Sequence, residues 1–279
     1  MQPTLENIKA QTPTSKRAPG DYELTPERLE RRIFKAVGQA IVDFNMIEEG
    51  DKIMVAVSGG KDSWVMLSVL NDLKKRAPVN FDIIAVNLDQ GYEGYETHII
   101  EDYLEKHGIS YHMAAKNINK IVQEKNQGGS TWCSMCSRLR RGSLYGLAEE
   151  LKCNKIALGH HQDDMIETLL LNAFFIGRLG AMAPKLQADD GKNVVIRPLI
   201  YVLEEEIKQY TRQKNFPVVC CQCPLMCGET VHGDYKRRRV KELIRQLEKE
   251  IPDIRNSLLA SLKNVKASHL LDKSMWKFE

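Results

Sequence analysis

The sequence predicts an α/β fold built around a doubly wound parallel sheet. Between residues 52 and 175, short runs rich in β-branched residues alternate with segments in which apolar residues recur at helical spacing. This alternation is typical of parallel sheets, because each helix returns the chain to the edge where the next strand begins. The strand runs are apolar throughout, as expected of strands that helices cover on both faces.

The spacing of apolar residues predicts each helix and strand in chain order. Residues 26–47 form a predicted helix because Leu29, Ile33 and Val37 fall on one face, and Gly50-Asp51 separates this helix from the first strand. Apolar residues from Ile166 onward share one face of a later helix. The remaining predictions are strands at 52–57, 81–88, 109–113, 155–158, 193–196 and 216–219, and helices at 64–75, 95–107, 137–152, 203–214 and 235–262.

Composition restricts the class of protein. The chain is 43% hydrophobic and 28% charged, and it contains no apolar run long enough to span a membrane. Its polar beginning has no signal-peptide character, so we expect a cytoplasmic protein with reduced cysteines. We divide the chain into a flexible N-terminal arm (1–25), an α/β domain (26–228) and a basic helical C-terminal extension (229–279).

Basic residues cluster in two places, although the formal net charge is only +3. Three arginines occupy residues 138–141, and five basic residues occupy 236–241. Such clusters suit a polyanion such as nucleic acid. The second run is equally typical of a solvated helix face.

A glycine-rich turn connects the first predicted strand to its helix. Free backbone N–H groups and the helix dipole at such a turn attract an anion, and glycines allow a close approach. Lys61 adds positive charge, and Asp62 is suited to hold Mg²⁺ on a phosphate. The turn therefore predicts a nucleotide site; the alternative is a tight turn with a capping side chain. This phosphate loop comprises Ser58, Gly59, Gly60, Lys61, Asp62 and Ser63.

The phosphate loop is not of the Walker type, because Val55 and Asp62 stand where that motif needs glycine and Ser or Thr. A second polar loop, Leu158–Asp164, follows the strand at 155–158; we call it the histidine loop. Doubly wound sheets bind ligands beyond the carboxyl ends of their strands, so both loops are expected to face one site. Asp163 or Asp164 would supply a second carboxylate for a metal or a ribose.

All seven cysteines lie after residue 132. Cys133 and Cys136 form a C-x-x-C pair, which is compatible with a redox dithiol, half a zinc site or part of an iron–sulfur site. A second group includes Cys220, Cys221, Cys223 and Cys227. Two separated groups argue against an isolated redox pair. Cys153 is expected to be a buried structural thiol.

Several motifs together resemble one family. The phosphate loop resembles the PP-loop of N-type ATP pyrophosphatases, and the whole set looks like the tRNA 2-thiocytidine synthetase family (TtcA). The motifs are S-G-G-K-D-S at 58–63, C-S-M-C-S-R-L-R-R-G at 133–142, G-H-H-Q-D-D-x-x-E-T at 159–168, I-R-P-L at 196–199, F-P-V-V-C-C at 216–221 and N-V-x-x-S-H-L at 264–270. The resemblance covers nearly the whole chain after its first twenty or so residues.

The resemblance implies a fold like that of adenine nucleotide alpha hydrolases, and a [4Fe-4S] cluster held by three cysteines. Cys133 and Cys136 match two of these ligands. The third is Cys223 or Cys221, because this sequence carries more cysteines after Phe216-Pro217 than the family pattern. Cys227 matches a cysteine that is not a ligand.

The resemblance also implies a reaction: adenylation of the C2 oxygen of cytidine 32 in a tRNA anticodon loop, followed by sulfur transfer. ATP and Mg²⁺ would bind at the phosphate loop and at Gly159, with Lys61, Asp62 and Asp163 as catalytic residues. Expected partners are tRNA, a sulfur donor such as a cysteine desulfurase, and a second copy in a homodimer. The alternatives are a PP-loop enzyme that thiolates another tRNA base and a zinc-stabilised RNA-binding module.

Overall fold

The computed structural model describes residues 23–125, 132–188, 191–223 and 235–276. Its strands are β1 (Asp51–Ala56), β2 (Phe81–Asp89), β3 (Tyr111–Ala115), β4 (Lys155–Ala157), β5 (Lys185–Gln187) and β6 (Val194–Ile196). Its helices are α1 (Pro26–Asp43), α2 (Lys61–Leu73), α3 (Thr97–Lys106), α4 (Ile118–Lys125), α5 (Trp132–Glu150), α6 (Gln162–Phe175), α7 (Glu204–Lys214), α8 (Tyr235–Glu250) and α9 (Ile254–Ser261).

The strands form one six-stranded sheet in the order β3-β2-β1-β4-β6-β5. All pairs are parallel except β5 with β6. The first strand lies in the interior of the sheet, where Val55 aligns with Ala85 on one side and Ala157 on the other. The chain order reverses between β1 and β4, and doubly wound sheets bind their ligands at the carboxyl ends of the strands beside such a reversal.

Helices cover both faces of the sheet, which confirms the doubly wound prediction. Ile53 and Val55 of β1 face a cluster that includes residues of α1, α2, α3 and α7, whereas Met54 and Ala56 face a cluster with residues of α4 and α5. This alternation is the two-residue period of a strand buried on both faces. Full burial of one large aliphatic side chain contributes roughly 1.5–3 kcal/mol, so these clusters dominate the folding energy.

The prediction of a strand at 216–219 was wrong. This segment is irregular, and Val219 N donates to Gly59 O at 3.0 Å instead of joining a strand ladder. Pro217 has no N–H group and contributes its carbonyl to the indole N–H of Trp64 at 2.9 Å. Residues 216–223, the cysteine segment, therefore run beside the phosphate loop.

The C-terminal tail consists of two helices instead of the single predicted one. The α8 helix ends at Glu250 because Pro252 cannot continue it, and α9 begins two residues after this proline. Val240 and Ile244 of α8 are buried against Ile166 of α6. The N-terminal arm up to residue 22, together with Cys227, lies outside the described residues. Across the described ranges, no helix combines the length and the apolar character needed to cross a membrane.

Candidate active site

The phosphate loop is held in a compact turn at the start of α2. Gly59 has φ +77°, a conformation that side chains rarely adopt. The Ser63 hydroxyl donates to Gly60 O at 2.8 Å and accepts from Ser58 N at 3.2 Å. Because α2 begins at Lys61, the positive end of its dipole points into this turn. The arrangement can hold the phosphates of a nucleotide.

The histidine loop lies directly against the phosphate loop, as predicted. A Cβ on Gly159 would stand 3.1 Å from the carbonyl carbon of Asp62 and 3.2 Å from Ser63 N. The imidazole Nε2 of His161 is 3.7 Å from Asp62 Oδ1. The loops after β1 and β4 therefore form a single site.

Lys61 lies between two carboxylates. Its Nζ is 3.1 Å from Asp62 Oδ1 and 3.3 Å from Glu204 Oε1. Burial alone would lower the pKa of Lys61, but these two negative charges outweigh it and raise the pKa. Glu204 was not predicted from the sequence; its only signal is its place in the first turn of α7.

Glu204 is strongly held in its charged form. Burial would raise its pKa, but the positive charges of Lys241, Lys61 and Lys208 hold the pKa at about 2. Lys241 belongs to α8, with its Nζ 3.7 Å from Glu204 Oε2. Glu204 thus connects the lysine of the phosphate loop to the basic C-terminal helix.

Asp62 carries the strongest indication of a metal. Its Oδ1 atom is buried and makes no hydrogen bond within the described residues, because the Lys61 ammonium, 3.1 Å away, donates its hydrogen bond to Asp62 Oδ2. A buried carboxylate oxygen with this capacity left over can ligate Mg²⁺, which prefers oxygen ligands. The residues therefore fit a magnesium ion on a bound phosphate.

Asp163, predicted as a catalytic residue, is occupied by contacts within the protein. It is 4% exposed. Its Oδ2 accepts from Glu204 N at 2.7 Å, and its Oδ1 pairs with Arg255 of α9. This geometry suits a positioning role for Asp163, which orients the first turn of α7 and therefore Glu204.

The run at 236–241 was predicted to contact RNA phosphates, but part of it points inward. Arg237 Nη1 lies 3.2 Å from Asp164 Oδ1 and 3.3 Å from Glu167 Oε2, and Lys241 Nζ lies 3.5 Å from Glu167 Oε1. Burial raises the pKa of Glu167 to about 7, although Lys241 and Arg237 oppose the rise. These two basic side chains are therefore engaged with acids of the site.

His160 is kept neutral by its surroundings. Burial, together with the neighbouring positive charge of Arg197, lowers its pKa to about 4. The Arg197 Nε–H group donates to His160 Nδ1 at 3.2 Å. Arg140 also contributes to this effect, so one of the three mid-chain arginines lies near the site.

Described cysteines approach one another around the hydroxyl of Tyr92. This hydroxyl lies 3.9 Å from Cys136 Sγ and also forms a hydrogen bond with Cys223. Burial raises the pKa of Cys136; the hydrogen bond from Tyr92 lowers it, and the charges of Cys223 and Cys221 raise it further. The side chain of Cys133 lies outside the described residues. Among those that are described, no three Cys, His, Asp or Glu side chains are close enough to hold one metal ion.

Two polar side chains, one on β2 and one in the loop that follows it, support the phosphate loop on the side of the cysteine segment. Asn87 Nδ2 donates to Val57 O at 2.7 Å and to the Tyr95 hydroxyl at 2.6 Å, and this hydroxyl donates to Ser58 O at 3.1 Å. Neither residue was predicted, since a lone Asn and a lone Tyr carry no motif.

Comparison with known proteins gives concordant results. The PP-loop domain family matches residues 27–219. A tRNA-cytidine(32) 2-sulfurtransferase of Geobacter metallireducens is 51% identical over 253 residues, which cover 91% of this chain and 97% of the relative. A protein of the same name from Geotalea uraniireducens is 53% identical over 250 residues, covering 90% and 98%.

Among solved structures, the U34-tRNA thiolase NcsA of Methanococcus maripaludis, determined with its [4Fe-4S] cluster, matches with a TM-score of 0.68. The sequences are 24% identical, and the match covers 87% of this chain and 81% of that one. At this identity the likeness shows a shared fold.

Proposed function

Because the chain belongs to the tRNA-cytidine(32) 2-sulfurtransferase family, an enzyme family of the PP-loop type, we propose that it uses ATP to replace the C2 oxygen of cytidine 32 in tRNA with sulfur. One observation carries the proposal: the phosphate loop and the cysteine segment lie side by side. Val219 N donates to Gly59 O at 3.0 Å, and Trp64 of α2 donates to Pro217 O. This proximity supports a reaction that couples nucleotide activation to thiol chemistry.

The first step is adenylation of the base. Oxide is a very poor leaving group, so the C2 oxygen attacks the α-phosphorus of ATP, a new P–O bond forms, and pyrophosphate leaves. Lys61 and the positive end of α2 stabilise the departing charge, an effect that depends on preorganised positioning. Mg²⁺ held by Asp62 would supply further charge neutralisation on the phosphates. Hydrosulfide then adds to C2 and forms a C–S bond, the C2–O bond breaks as AMP departs with the former C2 oxygen, and loss of the sulfur proton leaves the C2 thiocarbonyl.

Lys61 must change partners for this step. In the structure its ammonium pairs with Asp62 and Glu204. A triphosphate offers more negative charge than Glu204, and Lys241 remains beside Glu204 as a counter-ion when Lys61 moves. Asp163 keeps Glu204 in position through its bond to Glu204 N.

The thiols suit an iron–sulfur cluster in the chemistry of their donor set, since thiolates are the usual ligands of these clusters. Cys133, Cys136 and Cys223 would hold a [4Fe-4S] cluster, which would supply a Lewis-acidic iron for the incoming sulfur. The Tyr92 hydroxyl contacts both Cys136 and Cys223, and this shared contact supports Cys223 over Cys221 as the third ligand.

The two alternatives receive less support. An enzyme acting on another tRNA base would share the fold, but the relatives at 51% and 53% identity bear the cytidine 32 name. A zinc-stabilised RNA-binding module would have no use for a phosphate loop in which Lys61 and Asp62 lie side by side at the start of α2.

Metal analysis tests the cysteine site. We expect the anaerobically purified protein to contain iron and sulfide in equal amounts and to absorb broadly in the visible range. Cys133→Ala, Cys136→Ala and Cys223→Ala should lose this absorbance, whereas Cys221→Ala should retain it. Cys153→Ala is the matched control, because Cys153 is buried among the hydrophobic side chains that pack between α5 and the sheet. Stoichiometric zinc without colour would refute the cluster.

Activity tests the reaction itself. The purified enzyme with ATP, Mg²⁺, unmodified tRNA and a sulfide source should release pyrophosphate and form 2-thiocytidine, which mass spectrometry detects. Lys61→Ala should abolish both, whereas Lys75→Ala, an exposed lysine just beyond α2, should leave them unchanged. Thiolation of another base, or RNA binding without pyrophosphate release, would overturn the proposal in favour of an alternative.

A further inference from the structure

The carboxyl end of α6 and the turn after it present large apolar side chains to solvent. The exposed fractions are 55% for Phe174, 43% for Phe175, 69% for Ile176 and 64% for Leu179. Isolated exposed apolar residues are ordinary, but a contiguous group marks a binding surface. Two of these four side chains are aromatic, so the surface offers flat faces for stacking.

Basic residues at the start of α8 border these side chains. Lys236 Nζ lies 5.0 Å from the ring centroid of Phe175. Tyr235 is 61% exposed, and its hydroxyl accepts from Arg239 Nη1 at 3.1 Å. The segments 172–184 and 235–241 contain no acidic residue. We call this combined surface the α6–α8 patch; it comprises Phe174, Phe175, Ile176, Arg178, Leu179, Tyr235, Lys236 and Arg239.

The α6–α8 patch is connected to the candidate active site through α8. Lys236 belongs to the patch, and the next residue, Arg237, contacts Asp164 and Glu167. Asp164 itself approaches His161, which lies beside Asp62 of the phosphate loop. Along α6, the patch and the histidine loop are separated by roughly 20 Å, the rise of 13 helical residues. A ligand of a few nucleotides can reach from one to the other.

We propose that the α6–α8 patch is a stacking surface for unpaired nucleotides of the RNA substrate, an inference that rests on the proposed function. Proteins that bind single-stranded RNA combine aromatic side chains, on which bases stack, with basic side chains that contact the backbone. Here Phe174 and Phe175 provide the aromatic faces, and Lys236 and Arg239 provide the charge. Unpaired nucleotides near the target base then anchor the loop while that base enters the site.

Charge complementarity favours RNA over a second copy of the chain. A two-fold contact places the same patch of each subunit against the other. The basic side chains Arg178, Lys236 and Arg239 of both subunits would then be brought together without an acidic residue in either contributing segment, and like charges weaken such a contact. A polyanion meets the same charges favourably.

Binding of two RNA probes tests the proposal. Fluorescence anisotropy would measure the affinity of the full-length protein for an unmodified anticodon stem-loop and for a fully paired duplex of the same stem. Phe174→Ala and Phe175→Ala should weaken stem-loop binding about ten-fold each and leave duplex binding unchanged, because only unpaired bases stack. Phe174→Tyr should retain binding. Val42→Ala, which alters a 73% exposed residue of α1, is the matched control.

Lys236→Ala gives an independent readout. This substitution should weaken the binding of both RNA probes and reduce the salt dependence of binding by about one counterion. Stem-loop affinities of Phe174→Ala and Phe175→Ala equal to that of Val42→Ala would overturn the stacking surface. The same conclusion would follow if these variants dissociated a dimer without changing RNA affinity. The 2-thiocytidine assay on the wild type separates this failure from a failure of the proposed function.

Discussion

Substitution of Gly159 by alanine tests whether the histidine loop and the phosphate loop form one rigid unit. The added Cβ would stand 3.1 Å from the carbonyl carbon of Asp62, 3.2 Å from Asp62 O and 3.2 Å from Ser63 N. These are backbone atoms, so no side-chain rotation relieves the contact. The two loops must separate by a few tenths of an ångström.

The expected cost of Gly159→Ala is about 1–3 kcal/mol in the free energy of unfolding, the range for inserting a methyl group into a packed site. The displaced atoms belong to the phosphate loop, so the KM for ATP in pyrophosphate release should also rise. Urea denaturation measures the loss in the free energy of unfolding as a lower midpoint at constant m-value.

Gly146→Ala is the matched control for the same chemical change. Gly146 lies inside α5, and a Cβ there would meet no atom within 4 Å. Alanine is favoured over glycine in a helix by roughly 0.5–1 kcal/mol, so this variant should unfold at higher urea concentration. If Gly159→Ala matched Gly146→Ala in both midpoint and KM, the reasoning about the tight contact would be refuted.

Three further predictions concern buried groups. Trp64→Phe should lower the free energy of unfolding by about 1–3 kcal/mol and reduce the iron content, because it removes the bond to Pro217 O; an unchanged urea midpoint would contradict this. The pKa of Glu167 is raised from 4.5 to about 7, so its contribution to stability is present below pH 4.5 and is lost as pH rises through about 7. Relative to Glu167→Gln, the wild type should therefore lose stability across that range in urea titrations, and parallel curves would exclude the effect. The pKa of His160 is lowered from 6.5 to about 4, so NMR should show a neutral imidazole in mildly acidic solution; titration near 6.5 would disprove the burial argument.

Local patterns were enough to predict the fold and the two loops of the site. The phosphate loop is a strand, a glycine turn and a helix in immediate succession, and these residues form the turn by contacts among themselves, such as Ser63 with Gly60. The histidine loop follows a strand in the same way. Its contact with the phosphate loop follows from the general geometry of doubly wound sheets.

Interactions between distant segments could not be predicted in this way. Val218 and Val219 have the composition of a strand, but the amide of Val219 bonds to Gly59 and the segment stays irregular. Glu204 is distant from Lys61 in the sequence but 3.3 Å from it in the fold, where Asp163 accepts a hydrogen bond from the Glu204 amide. The α4 helix and the β5 strand are short, so their periodicity is too brief to recognise.

The hydrogen bond between Val219 and Gly59 also bears on how this enzyme can be re-engineered. The phosphate loop and the cysteine segment are far apart in the sequence, yet they share this backbone contact. Gly59 tolerates no larger residue there, since an added Cβ would stand 3.2 Å from the Cβ of Val219. A grafted cysteine segment must therefore reproduce the path of the chain from Pro217 to Val219 as well as its cysteines. Chimaeras joined within this stretch should fail in ATP use and metal retention together, whereas junctions beyond α7 and before Phe216 keep the contact intact.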